Sequence, residues 1–499
     1  MKNLKKIFLF TLAAGLLYSC EDAYKIVQPG ENTYEKAFRT AEDLNLAMIE
    51  VYDNVSNEDI IAFTSVFTDE AAIGNENGGQ NREEYRFQLF ATNGYAGDIW
   101  LSNYSVINSC NRILENVDNV VLDSLSPSYQ DDLSLKTKVI TEARVLRAFS
   151  HFQLLTYYST DLKNDAALGV IIGDHVPTLS EQLPRSTNGE VFNFINADLD
   201  FAQLTENASS IAANGPILVT PRFVNALRAR IAAYRGRYPE ALTYAEAALP
   251  GSTATGAGLV NSLTAYRGIW SDTGTAEIIF GLERPNGKTQ IGANWFFNTP
   301  SLSGGPFHDM GRNLYAEIKS RPATDVRNVF IGSTSRISPN FENVFNYLND
   351  DVIIINKYPG VPALPLNNRI KLMRHVEMYF IKAEAQTAAG DLAGARATLQ
   401  TVRTRRLSSP LPATLTTQEM WKAILDERRI ELCFEGHRYI DLKRLGTLAG
   451  VSGVDRYVRD CAPYNACELS ISDYRFTLPI PVRELNGNRV IRSQQNPGY

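Results

Sequence analysis

Apolar residues recur at helical spacing through most of this chain, and the places where that spacing fails mark out its organisation. From about Ala37, the stretch AEDLNLAMIEVYDNV sets Leu44, Ala47, Met48 and Val51 on one face, which predicts a first helix with one side against a core. The pattern stops over 69–97. There GNENGGQNREEY is polar and rich in Gly and Asn, so a surface loop is expected. A helix then opens near Asp98, with Trp100 in its first turn directly behind the loop. Beyond a Ser/Pro break at 124–128, residues 136–158 predict a long amphipathic helix. Residues 168–184 mix Gly and Pro with Val and Ile and read as a connector, after which Ser186 or Thr187 caps the next helix.

Two later stretches repeat one another. Residues 227–249 and 381–403 align without gaps, placing Ala229 on Ala383, Gly236 on Gly390, Tyr238 on Leu392 and Ala241 on Ala395. Each half reads as helix, Gly turn, helix, because small residues let paired helices approach and Gly supplies the left-handed residue that ends the first. The spacing is similar to that of tetratricopeptide repeats, and about four such pairs are expected to stack. Strict tandem repetition is absent, since 251–368 interrupts it with irregular sequence carrying Trp270, Phe280, Trp295, Phe296, Phe297, Phe307 and further aromatics. Within it, 277–283 and 352–358 read as strands or extended packing segments. Excursions of this length tend to be functional. The predicted fold is mainly α: a tetratricopeptide-like helical superhelix with long irregular loop excursions, forming one domain over 37–499.

A third pattern lies near the C-terminus. Thr416 and Glu419 make a capping box, so a helix begins near 417. Helical steps from Trp421 reach Leu425, Arg428, Leu432, Glu435 and Tyr439, an apolar stripe interrupted by two charges on the face to be buried. Glu427, Glu431 and Glu435 also follow one another at i, i+4, which is mildly repulsive in isolation. Basic residues from other elements must therefore neutralise them. The run ERRIELCFEGHRYIDLKR resembles the C-terminal signature of the SusD/RagB family of bacterial outer-membrane nutrient-binding lipoproteins. EARVLRAFSHFQLLTYY (142–158), MRHVEMYFIKAEAQTAAGDLAGARATLQTVRTRR (373–406) and the terminal LPIPVREL with QNPGY match that family in order. The resemblance spans nearly the whole chain, and only the central third lacks a family signature.

The first residues carry an address. Lys2, Lys5 and Lys6 precede a short apolar run over 7–17, too short to span a bilayer, and then Leu17-Tyr18-Ser19-Cys20. This is similar to a lipoprotein leader, although Tyr18 is bulkier than that motif usually carries. Residues 1–19 are expected to be removed, Cys20 to be acylated, and 20–36 to act as anchor and tether. Several acyl chains hold a protein on a membrane, where one does so only marginally. Acidic Glu21 and Asp22 follow, which the resemblance links to display on the cell surface. The net charge of −6 over 499 residues argues against nucleic acid as the main partner, because phosphate binding needs concentrated positive charge. Cys110 and Cys433 fall in apolar helical patterns and read as buried thiols, while Cys461 and Cys467 are close enough to form a disulfide.

A search for catalytic patterns finds no G-x-S-x-G, H-E-x-x-H, paired C-x-x-C or P-loop, and the five His are scattered without metal-ligand spacing. No catalytic or metal-ligating residue is therefore assigned. For a structural Ca²⁺, the candidates are Asp350 with Asp351 or the 69–77 loop. Aromatics make the better case, because a sugar's C–H face lies flat on a ring while its hydroxyls take polar partners around it. Trp100, at a position resembling one used for glycan stacking in the family, and Trp295, Phe296, Phe297 and Phe307 are candidate platform residues. Tyr95, Asn93 and Arg82 are candidate polar contacts. The resemblance implies a surface lipoprotein that binds oligosaccharide without altering it and passes it to a SusC-type TonB-dependent transporter. Three readings compete: a peptide-binding RagB-like protein of the same architecture, a repeat-type protein scaffold, and a secreted glycan hydrolase.

Overall fold

The structure is a computed structural model that describes residues 38–499 except 214, 286, 297–304 and 338–350. The leader, Cys20, Phe297 and Asp350 lie outside the described residues. Capping decides where the first helices start. In α1 (Ala41–Asn54) the Thr40 hydroxyl accepts from the Asp43 N–H at 3.1 Å and the Asp43 carboxylate accepts from the Thr40 N–H at 2.9 Å. Ala41, Leu44, Met48 and Val51 turn inward. Next, α2 (Glu58–Phe67) is buried over every residue from Ile60 onward, so it carries no polar face for periodicity to detect. β1 (Ala71–Ile73) leads into the Gly/Asn-rich loop. α3 (Gly94–Asn116) starts four residues before Asp98, which moves Trp100 from the first turn to the second.

α4 (Tyr129–Tyr158) and α5 (Asn188–Gln203) follow, the latter closed by a Thr187/Glu190 capping box. The repeated stretches form two helical hairpins: α6 (Pro221–Tyr234) with α7 (Tyr238–Ala248), and, further on, α8 (His375–Ala388) with α9 (Leu392–Arg405). Gly236 (φ +70°) and Gly390 (φ +79°) make the turns in the left-handed region that a side chain disfavours. α7 packs on α8, so the two hairpins stack although more than a hundred residues separate them. Between them, β2 (Ile278–Leu282) pairs antiparallel with β4 (Ile370–Arg374), and β3 (His308–Met310) pairs antiparallel with β1. The excursion is thus tied at its base by the β2–β4 ladder and at its middle by the β1–β3 ladder.

The C-terminal signature departs from one continuous helix. α10 (Thr417–Leu432) stops, Phe434 (φ +60°) and Gly436 (φ +87°) turn the chain, and α11 (Arg438–Leu445) leaves in a new direction. A left-handed Phe costs about 1–2 kcal/mol. That cost is offset by burial of the whole ring, whose centroid lies 5.3 Å from that of Trp295.

The three glutamates all find cations. Glu427 accepts from Arg403 at 3.2 Å and pairs with Arg327. Glu431 accepts from Arg406 (2.9 Å) and Arg374 (2.9 Å), and from the Tyr266 hydroxyl at 3.1 Å. Glu435, on the turn, accepts from Arg374 (2.8 and 2.7 Å) and Lys357 (2.7 Å). Burial alone would raise the Glu431 carboxyl, but Arg406 and Arg374 outweigh it and hold it well below the usual carboxylate range. Elsewhere, Cys461 and Cys467 form a disulfide and Cys110 and Cys433 are buried free thiols.

Substituting Glu431→Gln leaves Arg406 and Arg374 buried without their shared charge and is expected to cost about 3–5 kcal/mol in denaturant unfolding at pH 7. Because the folded carboxyl is depressed, its contribution is present above the ordinary Glu pKa of about 4.3 and is lost as pH falls below it, so the gap to wild type should narrow toward pH 3. A variant as stable as wild type at pH 7 would mean that the network contributes nothing.

Candidate functional site

Three segments distant in sequence meet at one face. The 74–95 loop leaves β1 and is held to the middle of the excursion by backbone bonds from the Gly74 N–H to the Phe307 carbonyl (2.9 Å) and the Glu76 N–H to the Pro306 carbonyl (3.2 Å). A Cβ at Gly74 would lie 2.2 Å from the Pro306 oxygen, so only Gly permits this approach. The Asn77 side-chain amide donates to the Phe307 and Gln80 carbonyls at 3.1 and 3.0 Å, fixing the loop's own turn. The third segment surrounds the Cys461–Cys467 disulfide. The Tyr85 hydroxyl donates to the Asp460 carbonyl (2.9 Å), Arg456 donates to the Tyr85 carbonyl (2.6 Å), and the Tyr85 and Tyr464 rings meet edge to face at 5.5 Å.

Four of the predicted residues fall in this region. Arg82 is exposed on the single helical turn Arg82–Tyr85, with its guanidinium 6.0 Å from the centre of the Tyr464 ring. Tyr95 is half-buried, its hydroxyl accepting from the Asn81 amide at 2.9 Å, and burial pushes that hydroxyl well above its ordinary pKa. Phe307 is also half-buried at the junction of loop and excursion. Asn93 is a support rather than a contact. It is buried, accepts from the Phe90 N–H, and donates to Glu83 and Glu84 at 3.2 Å each.

The expected platform rings lie elsewhere. Trp100 is 1% exposed, wedged between the Tyr104 and Tyr158 rings (centroids 4.8 and 4.9 Å), with its indole N–H donating to Glu484 at 3.2 Å. On α3 it shares the inner face with Ala96, Ile99 and Asn103. Trp295 is likewise 1% exposed, stacked on Tyr358 at 6.0 Å and donating to the Ser65 hydroxyl at 3.2 Å. Phe296 is buried beside it, its backbone bridged to Pro306. None of the three offers a ring face to a ligand. Each fills core volume, and the two indoles find acceptors for their N–H groups, as buried Trp does.

The residue that periodicity missed is Tyr464. It lies in the short Cys461–Cys467 loop, half-buried, where the ring is displayed beside Arg82. The paired cysteines were the available signal, since a small disulfide loop holds whatever it carries in fixed position.

Behind the face, ionisable groups are neutral or locked. Burial pushes Glu70 up to about 8 and lowers His308 to about 4, so both are uncharged at neutral pH. Asp69, in the loop considered for Ca²⁺, instead accepts from Arg438 through both oxygens at 2.7 Å. Asp351 faces Arg312 at 3.9 Å. Among the described residues, no group of three or more His, Cys, Asp and Glu side chains is placed to hold a metal ion. The arrangement suits a neutral, hydroxyl-rich ligand: part-exposed rings for its C–H faces, and Arg82, Asn75 and Gln80 for its oxygens.

Two family models match the chain and together cover more than half of it. One, described as the SusD family, matches residues 365–499; the other, described as starch-binding associating with outer membrane, matches 31–210. SusD-like protein P2 of Formosa agariphila is 24% identical, with all of both chains covered, and SusD-like protein P38 of the same organism is 23% identical over 91% of this chain and 93% of its own. Among solved structures, a SusD superfamily protein from Bacteroides thetaiotaomicron aligns with a TM-score of 0.74 at 21% identity, covering 92% of this chain and all of the other. A putative sugar binding protein from Bacteroides vulgatus gives 0.71 at 23%, covering 93% and 99%. A laminarin binding SusD-like protein gives 0.67 at 20%, covering 93% and 100%.

The burial of Trp100 makes a sharp distinction between packing and binding. Trp100→Ala is expected to lower stability by about 3–5 kcal/mol, measured by denaturant titration, as large-to-small aromatic changes in cores do. Loss of glycan affinity at unchanged stability would instead return the ring to the ligand face.

Proposed function

The chain belongs to the SusD family, and from that premise we propose that it is a glycan receptor that captures oligosaccharide and releases it unaltered. The observation that supports this most is the convergence of Arg82, Tyr95, Phe307 and Tyr464 from three separate segments. Backbone hydrogen bonds and a disulfide hold these groups in place before any ligand arrives, which reduces the ordering cost of binding. One matching family is described as starch-binding and one structural neighbour as laminarin binding, which makes glucans the first ligands to try. Their chemistry fits. A neutral glucan supplies flat C–H faces and many hydroxyls, and carries no charge that would need the buried acids behind the face.

The same reading gives the protein a place. Acylated Cys20 would fasten it to the outer membrane, the tether over 20–36 would allow the body to move, and a SusC-type TonB-dependent transporter would receive the glycan. In such an arrangement the body swings as a rigid lid while the tether absorbs the motion.

Calorimetric titration of the mature protein with laminarin oligosaccharides, malto-oligosaccharides and short peptides tests the ligand class. Binding to one glucan series is expected, with Arg82→Ala and Tyr464→Ala each weakening it by about tenfold and leaving the unfolding midpoint unchanged. Binding of peptides with no response to any glycan would replace this reading with the RagB-like one. For the anchor, Cys20→Ser in the full chain should shift the protein from the membrane fraction to the soluble one. Retention in the membrane would rule out acylation at Cys20 as the attachment.

A further inference from the structure

A hollow of about 320 Å³ opens beside Trp100, between α3, the 171–183 connector and the C-terminal helical turn Val482–Gly487. Its walls are fastened to one another. Asn111 donates to the Gly173 and His175 carbonyls (3.0 and 2.8 Å), the Tyr104 hydroxyl donates to the Ile171 carbonyl (2.9 Å), and the Val176 N–H donates to Glu115 (2.6 Å). On the other side, Gln182 donates to the Gly487 carbonyl (3.0 Å) and Asn488 to the Leu183 carbonyl (2.6 Å). A space so bounded keeps its shape without an occupant, and its volume is at the lower end of those that hold small molecules, about 300–1,000 Å³.

The lining decides the chemistry. Tyr104, Ile107, Ile171, Pro177 and Leu183 give it an apolar interior. Most of its polar groups are already engaged. Glu484 accepts from Trp100 (3.2 Å) and Asn488 (3.1 Å), while His175 lies between Asp174 (2.6 Å) and Glu181 (2.9 Å). A sugar placed here would leave hydroxyls without partners, and a buried hydroxyl without a partner is unfavourable, so a glycan is a poor occupant. One charge stays available: Arg483, exposed at the mouth, makes no hydrogen bond or ion pair among the described residues.

We propose that this hollow binds a small organic acid, its aromatic or branched-alkyl body lying against Tyr104, Ile107 and Leu183 and its carboxylate on Arg483. The guanidinium fork matches a carboxylate through two parallel N–H donors. The same chemistry is presented by a free acid and by the carboxyl-terminal residue of a peptide. This site is independent of the glycan reading and would persist if that reading failed.

Calorimetric titration of the mature protein tests it with 3-phenylpropionate, 3-phenylpropanamide, N-acetyl-Gly-Gly-Phe and the amide of that peptide. The free acid is expected to bind, with the neutral amide weaker by about tenfold or more, and Arg483→Gln is expected to bring the acid down to the level of the amide. Asn108→Trp, a change at a half-buried lining position on α3, should fill the mouth and abolish binding with an unchanged unfolding midpoint. Peptide acid binding as tightly as the free acid would identify a chain terminus as a fitting source; binding of the free acid alone would identify a free metabolite. Silence from both acids at about 10 mM with folded protein, equal affinity for acid and amide, or binding that survives Asn108→Trp would overturn the proposal.

Discussion

Three buried carboxylates on one short stretch of chain, Glu427, Glu431 and Glu435, set the terms for the rest of this structure. Carboxylates so deeply buried stay ionised only when cations are brought to them, and here the cations come from far away. Arg327 and Lys357 lie in the irregular excursion, Arg374 ends β4, and Arg403 and Arg406 belong to or directly follow α9. The excursion has little secondary structure of its own. It owes its position to these pairs and to two short antiparallel ladders, one with the chain after α2 and one closing onto α8. Removing one carboxylate would therefore loosen a joint among several segments rather than one contact.

That anchoring explains how an irregular segment contributes to a precise face. Held at its base by ion pairs and at its edge by the β1–β3 pairing, the excursion delivers Phe307 against the 74–95 loop, where Gly74 alone permits the approach. The disulfide loop adds Tyr464 from the other side. The candidate binding groups thus sit on loops, and the scaffold under those loops holds them in place. The aromatic wealth of the middle region serves both purposes. Trp270, Trp295 and Tyr358 pack together, and two of them receive cations, with Lys357 4.5 Å from the Trp270 ring and Lys371 5.5 Å from the Tyr358 ring.

Trp100 joins two regions in a different way. Its indole bonds Glu484 near the chain's end, clamping α3 to the C-terminal turn, and the space left between these elements is the hollow over which Arg483 stands. Packing and a second cavity are consequences of the same contact. The face around Arg82 and Tyr464 and the hollow beside Tyr104 differ in character: the first is polar with part-exposed rings, and the second is lined largely by apolar side chains with Arg483 at its mouth.

Local rules settled much of this in advance. The Thr416/Glu419 capping box, the Gly turns at 236 and 390, the amphipathic face of α1, and the need of Glu427, Glu431 and Glu435 for outside cations all follow from spacing, because caps, turns and helical faces depend on neighbours within a few residues; α4, by contrast, is buried on every side from Val145 to Tyr158. The family too was legible, since its signatures lie in those same helices. What periodicity could not supply was which ring faces out. Trp100 lies on the face of α3 that packs against other segments, and a left-handed Phe434 ends α10 where the apolar stripe would have carried it on. Nor could the sequence pair Arg82 with Tyr464, which are hundreds of residues apart. Exposure and such meetings are set by the packing of whole segments against one another, a sum over contacts distant in sequence, and only the tertiary structure carries out that sum.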